Sequence, residues 1–151
     1  IIAKKGVQME LRINSERWQQ AAAFFIRYQV FVLEQGIKAE EEFDQIDLDR
    51  PPYIVIYDQN LPVATGRYLQ DDEQTFRVSR LATLKSYRGQ GLATQIVQAI
   101  EQLGREHGLK HCLIHADCTA LPFYQSLGYQ ICSEIYLEDG VECVNVEKYL
   151  L

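Results

Sequence analysis

Residues 77–93 read RVSRLATLKSYRGQGLA, and the rest of the chain is organised around them. Arg77 to Leu84 is rich in β-branched and apolar residues and predicts a strand. Lys85 to Gln90 is a polar turn. From Gly91 onward Leu92, Ile96, Val97, Ile100 and Leu103 recur at helical spacing. The stretch is therefore strand, glycine loop, helix. Glycines 89 and 91 let the backbone approach a ligand closely, because they carry no Cβ. The first amides of a helix lack intrahelical acceptors and lie at the positive end of its dipole, which suits a phosphate. Two nucleotide motifs are excluded. The dinucleotide fingerprint lacks its third glycine and its ribose-binding acid, and no Gly-Lys-Ser/Thr closes the loop as a nucleotide P-loop requires.

The remaining pattern is Arg88-x-x-Gly91-x-Ala93. It resembles motif A of the GNAT superfamily of acetyl-CoA-dependent N-acetyltransferases. About thirty residues on, Ala120-x-x-Phe123-Tyr124-x-x-x-Gly128-Tyr129 resembles that superfamily's motif B. Val30-Phe31-Val32-x-Glu34-Gln35, with acids downstream, resembles the ElaA-like branch. The resemblance runs over nearly the whole chain after Met9. It implies a GNAT-like α/β fold, a central mixed sheet with helices on both faces, and acetyl-CoA as cosubstrate without a metal.

Residue by residue, the resemblance implies that backbone groups of Leu81, Ala82 and Thr83 run beside the pantetheine. It also implies that amides of Arg88, Gly89, Gln90, Gly91, Leu92, Ala93 and Thr94 hold the pyrophosphate. Tyr124 is then the candidate general acid toward the leaving thiolate, with a packed helix tyrosine as the alternative. Glu34 is the first candidate base, with Asp44 and Asp47 behind it, and a structural pair is the alternative. The run Glu40, Glu41, Glu42, Asp44, Asp47, Asp49 reads as a solvated loop face; its functional alternative is a negative rim that attracts a cationic amine. Asp44, Asp47 and Arg80 are thus candidate substrate-binding residues, and a structural ion pair is the alternative for Arg80. Two positions depart from the branch. Asp117 stands where an amide side chain is common, and an ionised carboxylate cannot donate. Cys143 lies where the branch tends to carry a histidine.

The bulk numbers agree with one globular unit. The chain has 151 residues, 47% hydrophobic and 24% charged. A net charge of −6 argues against nucleic acid as a partner, and no apolar run is long enough to span a membrane. Four cysteines (112, 118, 132 and 143) without a Cys-x-x-Cys pair predict a reducing cytoplasm. Residues 9–151 are expected to form a single domain, with 1–8 an extension or expression remnant.

In order, strands are expected at Met9–Ile13, Tyr53–Tyr57, Leu61–Leu69, Thr75–Leu84, Lys110–Ala116, Tyr129–Leu137 and Val141–Leu150. A helix follows Ser15, its face of Trp18, Ala21, Ala22, Phe25 and Tyr28 turned to the core. Further helices run from Gly91 to Gly108 and from Thr119 to Leu127. The apolar phase slips between Val78 and Leu81, as a bulge or burial on both faces would cause. The expected activity is acetyl transfer to a primary amine of a small molecule or peptide by direct attack in a ternary complex. The rival reading is a noncatalytic acyl-CoA sensor. A homodimer is left open.

Overall fold

The computed structural model describes residues 9–151, so the expectation for 1–8 lies outside the described residues. Two compact units emerge. One comprises the described residues up to Tyr68 together with Arg80–Ile100; the other comprises Leu69–Ser79 and Glu101–Leu151. Two strands and one helix have residues in both.

In the first unit, β1 (Met9–Asn14) pairs antiparallel with β2 (Tyr53–Asp58), which pairs antiparallel with β3 (Leu61–Gln70). Pro62 sits at the start of β3, where a missing amide costs least. β4 (Thr75–Thr83) follows, and just beyond it Leu84 N donates to Val63 O at 2.9 Å.

The helices lie on both faces of this unit's strands. On one, α1 (Arg17–Arg27) continues into a wider π-helical stretch, Tyr28–Glu34. Ala23, Ile26 and Val30 pack there with Tyr53, Val55, Tyr57 and Ala82. On the other, α3 (Leu92–Glu106) approaches so closely that a Cβ at Gly66 would fall 2.5 Å from Ile96 Cγ2. A short α2 (Ala39–Glu42) and a 3-10 turn (Gln45–Asp49) join the π-helical stretch to β2.

Two expectations are corrected, the first for α1. Its buried stripe is Gln19, Ala23, Ile26, Arg27 and Val30, whereas Trp18 is 51% exposed, with Phe25 and Tyr28 also on the outside. The true stripe carries two polar residues whose groups are satisfied inside. Gln19 donates to Arg12 O and Tyr53 O and accepts from the Tyr57 hydroxyl. Arg27 is held by acids. The acidic run is likewise not a solvated face throughout: Glu42 and Asp47 are buried.

In the second unit β4 pairs parallel with β5 (His111–Asp117), from Thr75–His111 to Arg77–Leu113. β8 (Val141–Tyr149) lies antiparallel to β5 and carries β6 (Gln130–Ile131) and β7 (Tyr136–Glu138). The strand expected at Tyr129–Leu137 is thus two short pieces. Their connection is bound from the side: Ser133 Oγ accepts from Asn145 N, and Tyr136 donates to Asn145 Oδ1. Asp139 and Gly140 both have positive φ, 51° and 78°, as a two-residue hairpin turn needs. The helix expected from Thr119 is a 3-10 turn, Cys118–Ala120, followed by α4 (Leu121–Ser126).

The slip of phase in β4 has a backbone cause. Phe76 packs where Gly104 of α3 leaves space, a Cβ there falling 2.4 Å from its ring, and Leu81 lies beside Gly66 with Ile96 and Ile100, also of α3. Residues of opposite parity thus meet the same helix. Between them Arg80 adopts φ 50°, a left-handed conformation that a non-glycine residue rarely takes inside a strand.

Candidate functional site

The loop after β4 is built as the motif requires. Lys85–Tyr87 forms a 3-10 turn, and Gly89 and Gly91 follow with φ of 78° and 79°. A Cβ at either glycine would meet nothing within 4 Å, so the space beside the loop is open. The first backbone bond on entering α3 is donated by Gln95 N to Gly91 O at 3.2 Å; among the described residues, amides from Gly89 to Thr94 reach no backbone carbonyl. These donors converge at the start of a helix 15 residues long, where its dipole also favours an anion. The residues therefore fit a pyrophosphate.

Arg88 and Glu34 meet beside this loop. The guanidinium donates through Nη1 and Nη2 to the two Glu34 oxygens, both at 2.7 Å, and through Nε to Thr83 O at 3.0 Å. The hydrogen bond and charge of Arg88 hold the Glu34 carboxyl below its ordinary value. A pocket of about 490 Å³ adjoins the pair, lined by Gln29, Val30, Glu34, Leu84, Lys85 and Ser86. The structure thus brings together Glu34, Arg88 and Thr83 of the expected site residues. Leu81, Ala82 and Thr83 form the end of β4, as expected for a strand that leads into the loop.

Asp44, Asp47 and Arg80 also come together, in a network the sequence does not reveal. Asp47 accepts from Arg27, Arg67 and the Tyr53 hydroxyl, and from the amide of Asp44. Arg27 also donates through Nε to Glu42 at 2.9 Å. Arg67 reaches Asp44 at 2.9 Å, and Arg80 forms ion pairs with Glu42 and Asp44 at 3.0 and 3.2 Å. Burial alone would raise the Asp47 carboxyl; the bond and charge of Arg27, with Arg67 and the Tyr53 hydroxyl, outweigh it and hold the group far below its usual range. Burial and Asp47 push the Tyr53 phenol up to about 12. Asp47 is therefore not at a rim, and its oxygens are occupied. Asp44 and Arg80 keep 28% and 25% of their side chains exposed. The missed members, Arg27, Arg67 and Tyr53, left one signal in the sequence: an arginine inside an apolar stripe and another inside an apolar strand.

In the second unit Tyr124 lies on α4 and is 7% exposed. Burial, then the charges of Asp117 and Cys112, raise its phenol well above the ordinary value, so it stays protonated. Asp117 caps the turn after β5, its Oδ1 accepting from Thr119 N and Oγ1. Burial pushes the Cys112 thiol up to about 12 and raises Cys143, which keeps both as thiols near neutrality. Among the described residues, no group of three or more His, Cys, Asp or Glu side chains could hold a metal ion. No helix among the described residues is long and apolar enough to cross a membrane.

Known proteins can be set beside this geometry. The family model for the acetyltransferase (GNAT) domain matches residues 8–150. An uncharacterized acetyltransferase from the arcA 3' region of Streptococcus pyogenes is 38% identical over 111 residues, 74% of this chain and 76% of its own. Among solved structures, an N-acetyltransferase candidate from Lactobacillus plantarum superposes with a TM-score of 0.89 at 39% identity, covering 95% of this chain and 99% of that one. Escherichia coli ElaA shares the fold at 24% identity, with a TM-score of 0.80 and coverage of 93% and 99%. Matched along nearly its whole described length, the chain belongs to the GNAT acetyltransferase family.

Proposed function

We propose that this chain transfers an acetyl group from acetyl-CoA to a primary amine of a small molecule or peptide, by direct attack within a ternary complex. The observation that carries the reading is the glycine loop: free amides from Gly89 to Thr94 at the start of α3, with open space beside both glycines. Amides of Gly89 to Thr94 are assigned to the coenzyme pyrophosphate, that of Arg88 being taken by Lys85 O at 3.4 Å, and the backbone of Leu81–Thr83 to the pantetheine arm. Acetyl-CoA supplies a thioester whose carbonyl carbon a neutral amine can attack. The new C–N bond forms as the C–S bond breaks. An amide of the β4 segment donates to the developing oxyanion. Tyr124 gives its proton to the departing sulfur, leaving coenzyme A as the thiol, and Glu34 takes the proton lost by the amine, directly or through water. Asp44 and Arg80, partly exposed, are assigned to the acceptor side; Asp47 acts through Arg27 and Arg67 by fixing that network.

Glu34 can serve as base only in the environment that Arg88 creates. With the amine's own protonation divided out, the acidic limb of kcat/KM is therefore expected below the ordinary carboxylate range, since a carboxyl of lowered proton affinity stays ionised to lower pH. Glu34→Gln is expected to abolish that limb and lower kcat/KM about 100-fold. A limb that stays in place would show that Glu34 positions Arg88 and takes no proton.

The activity itself is tested with purified protein, acetyl-CoA and a panel of primary amines, read by release of free thiol. Amine-dependent release, with matching N-acetylated product by mass spectrometry, is the expected result. Coenzyme binding without turnover on any amine would favour the noncatalytic sensor.

A further inference from the structure

Half of the acidic run is neutralised within the protein, while Glu40, Glu41 and Asp49 stay exposed. Its three internal carboxylates, Glu42, Asp44 and Asp47, are matched by three guanidiniums, Arg27, Arg67 and Arg80, through ion pairs within that set. Beside Asp44 and Asp47 opens a pocket of about 630 Å³, within the range of small-molecule sites. Phe24 and Phe43 form its apolar wall, their rings 4.7 Å apart. Gln20 also lines it, but its amide is engaged by Asp47 O at 2.7 Å and the Tyr53 hydroxyl at 3.0 Å.

Three charged groups of the lining have no ion pair among the described residues: Arg17, Arg50 and Asp49. The balance of these three is one positive charge. Arg50 carries a second, independent mark. It sits at φ 45°, ψ 68°, immediately before Pro51, although a residue before proline favours extended backbone and left-handed angles suit Gly or Asn better. Its amide bond to Asp47 O, at 3.2 Å, ties this conformation to the buried network. A long cationic side chain held at a costly backbone position on a pocket wall points to a ligand.

We infer that this pocket binds a carboxylate attached to an apolar or aromatic body, the anion at Arg17 and Arg50 and the body against Phe24 and Phe43. The inference deepens the proposed acetyl transfer and rests on it for its consequence: the acceptor amine belongs to a carboxylate-bearing molecule, such as an aromatic amino acid or dipeptide, and not to a polyamine. The sequence offers a negative rim for a cationic amine as the alternative to a solvated face; the pocket adds an anion to that amine.

The test is an NMR titration of isotopically labelled protein with phenylacetate and, separately, phenylacetamide, without coenzyme. Phenylacetate is expected to shift amides of residues 43–50 in a saturable manner, with a Kd at least about tenfold below that of phenylacetamide, because charge-assisted bonds to Arg are roughly twice as strong as neutral ones. In the double variant R17Q/R50N the two probes should bind alike. Asn tolerates the left-handed backbone at position 50, so the variant is expected to fold, and R17Q alone should already narrow the difference. Equal binding of both probes to the wild type, absence of binding, or shifts confined to residues 85–94 would overturn the inference. The titration reads no turnover. An inactive protein that prefers phenylacetate would refute the transfer reading alone; an active one without that preference would refute this inference alone.

Discussion

Arg27→Met is expected to lower the stability of the folded chain by about 3–5 kcal/mol, the range for removing one partner from a buried ion pair. The guanidinium is 1% exposed and touches two acids, Glu42 and Asp47, that are nearly as buried. Without it both carboxylates lose their nearest cation, and Asp47 keeps only Arg67, the Tyr53 hydroxyl and the Asp44 amide. For a chain of this size the loss corresponds to a fall in Tm of roughly 10 °C, readable by calorimetry. The exposed pair Arg12–Glu10 is the internal control: Arg12→Met should shift Tm far less, since surface pairs contribute little. The network also sets a pH dependence. Asp47 has a folded-state value depressed below its unfolded one, so its contribution is present above the ordinary aspartate value of about 4 and is lost as pH falls below it. Acid should therefore destabilise the wild type more steeply than Asp47→Asn. Parallel curves would show that Asp47 is not held by charge.

Tyr124→Phe is expected to lower kcat by about 100-fold or more, the scale of a general-acid contribution, while the Kd for acetyl-CoA stays within about twofold. The change removes one oxygen and leaves the ring that meets Phe123 and Tyr129. Because burial keeps the wild-type phenol protonated well beyond neutrality, no alkaline loss of kcat from this group is expected up to about pH 10. An unchanged kcat would remove Tyr124 from the mechanism and leave it a packing residue of α4.

The parts legible in the sequence are those where local chemistry and global fold agree. Gly89 and Gly91 sit at left-handed angles that glycine adopts without cost, next to an amphipathic helix, so loop and helix are readable from residues 77–103. Asp139-Gly140 identifies its hairpin for the same reason. The face of α1 is not readable that way. Period alone offered the aromatic stripe of Trp18, Phe25 and Tyr28, whereas the buried one contains Gln19 and Arg27, which are acceptable inside only because distant partners satisfy them. Apart from Arg12, those partners lie 15 to 38 residues away, beyond any helical or strand period. The acidic segment was ambiguous for the same reason. Its acids look solvated until Arg27, Arg67 and Arg80 are brought against them, and Arg67 comes from a strand that otherwise reads as plain core. Of the candidate site, the glycine loop is visible as a motif, while the pairing of Glu34 with Arg88 joins residues 54 positions apart and needs the fold.

The central claim is that the loop after β4 binds acetyl-CoA through its backbone, and calorimetric titration of the wild type beside a Gly89→Val/Gly91→Val variant tests it most directly. Neither new side chain meets protein atoms within 4 Å at its Cβ, so the main cost to folding is left-handed strain of at least about 1–2 kcal/mol per site, and thermal melting verifies that the variant is folded. The expected result is micromolar binding by the wild type and a loss of at least about 100-fold, near 2.7 kcal/mol, in the variant. A folded wild type that binds no acetyl-CoA, or a folded variant that binds it equally well, would contradict the account.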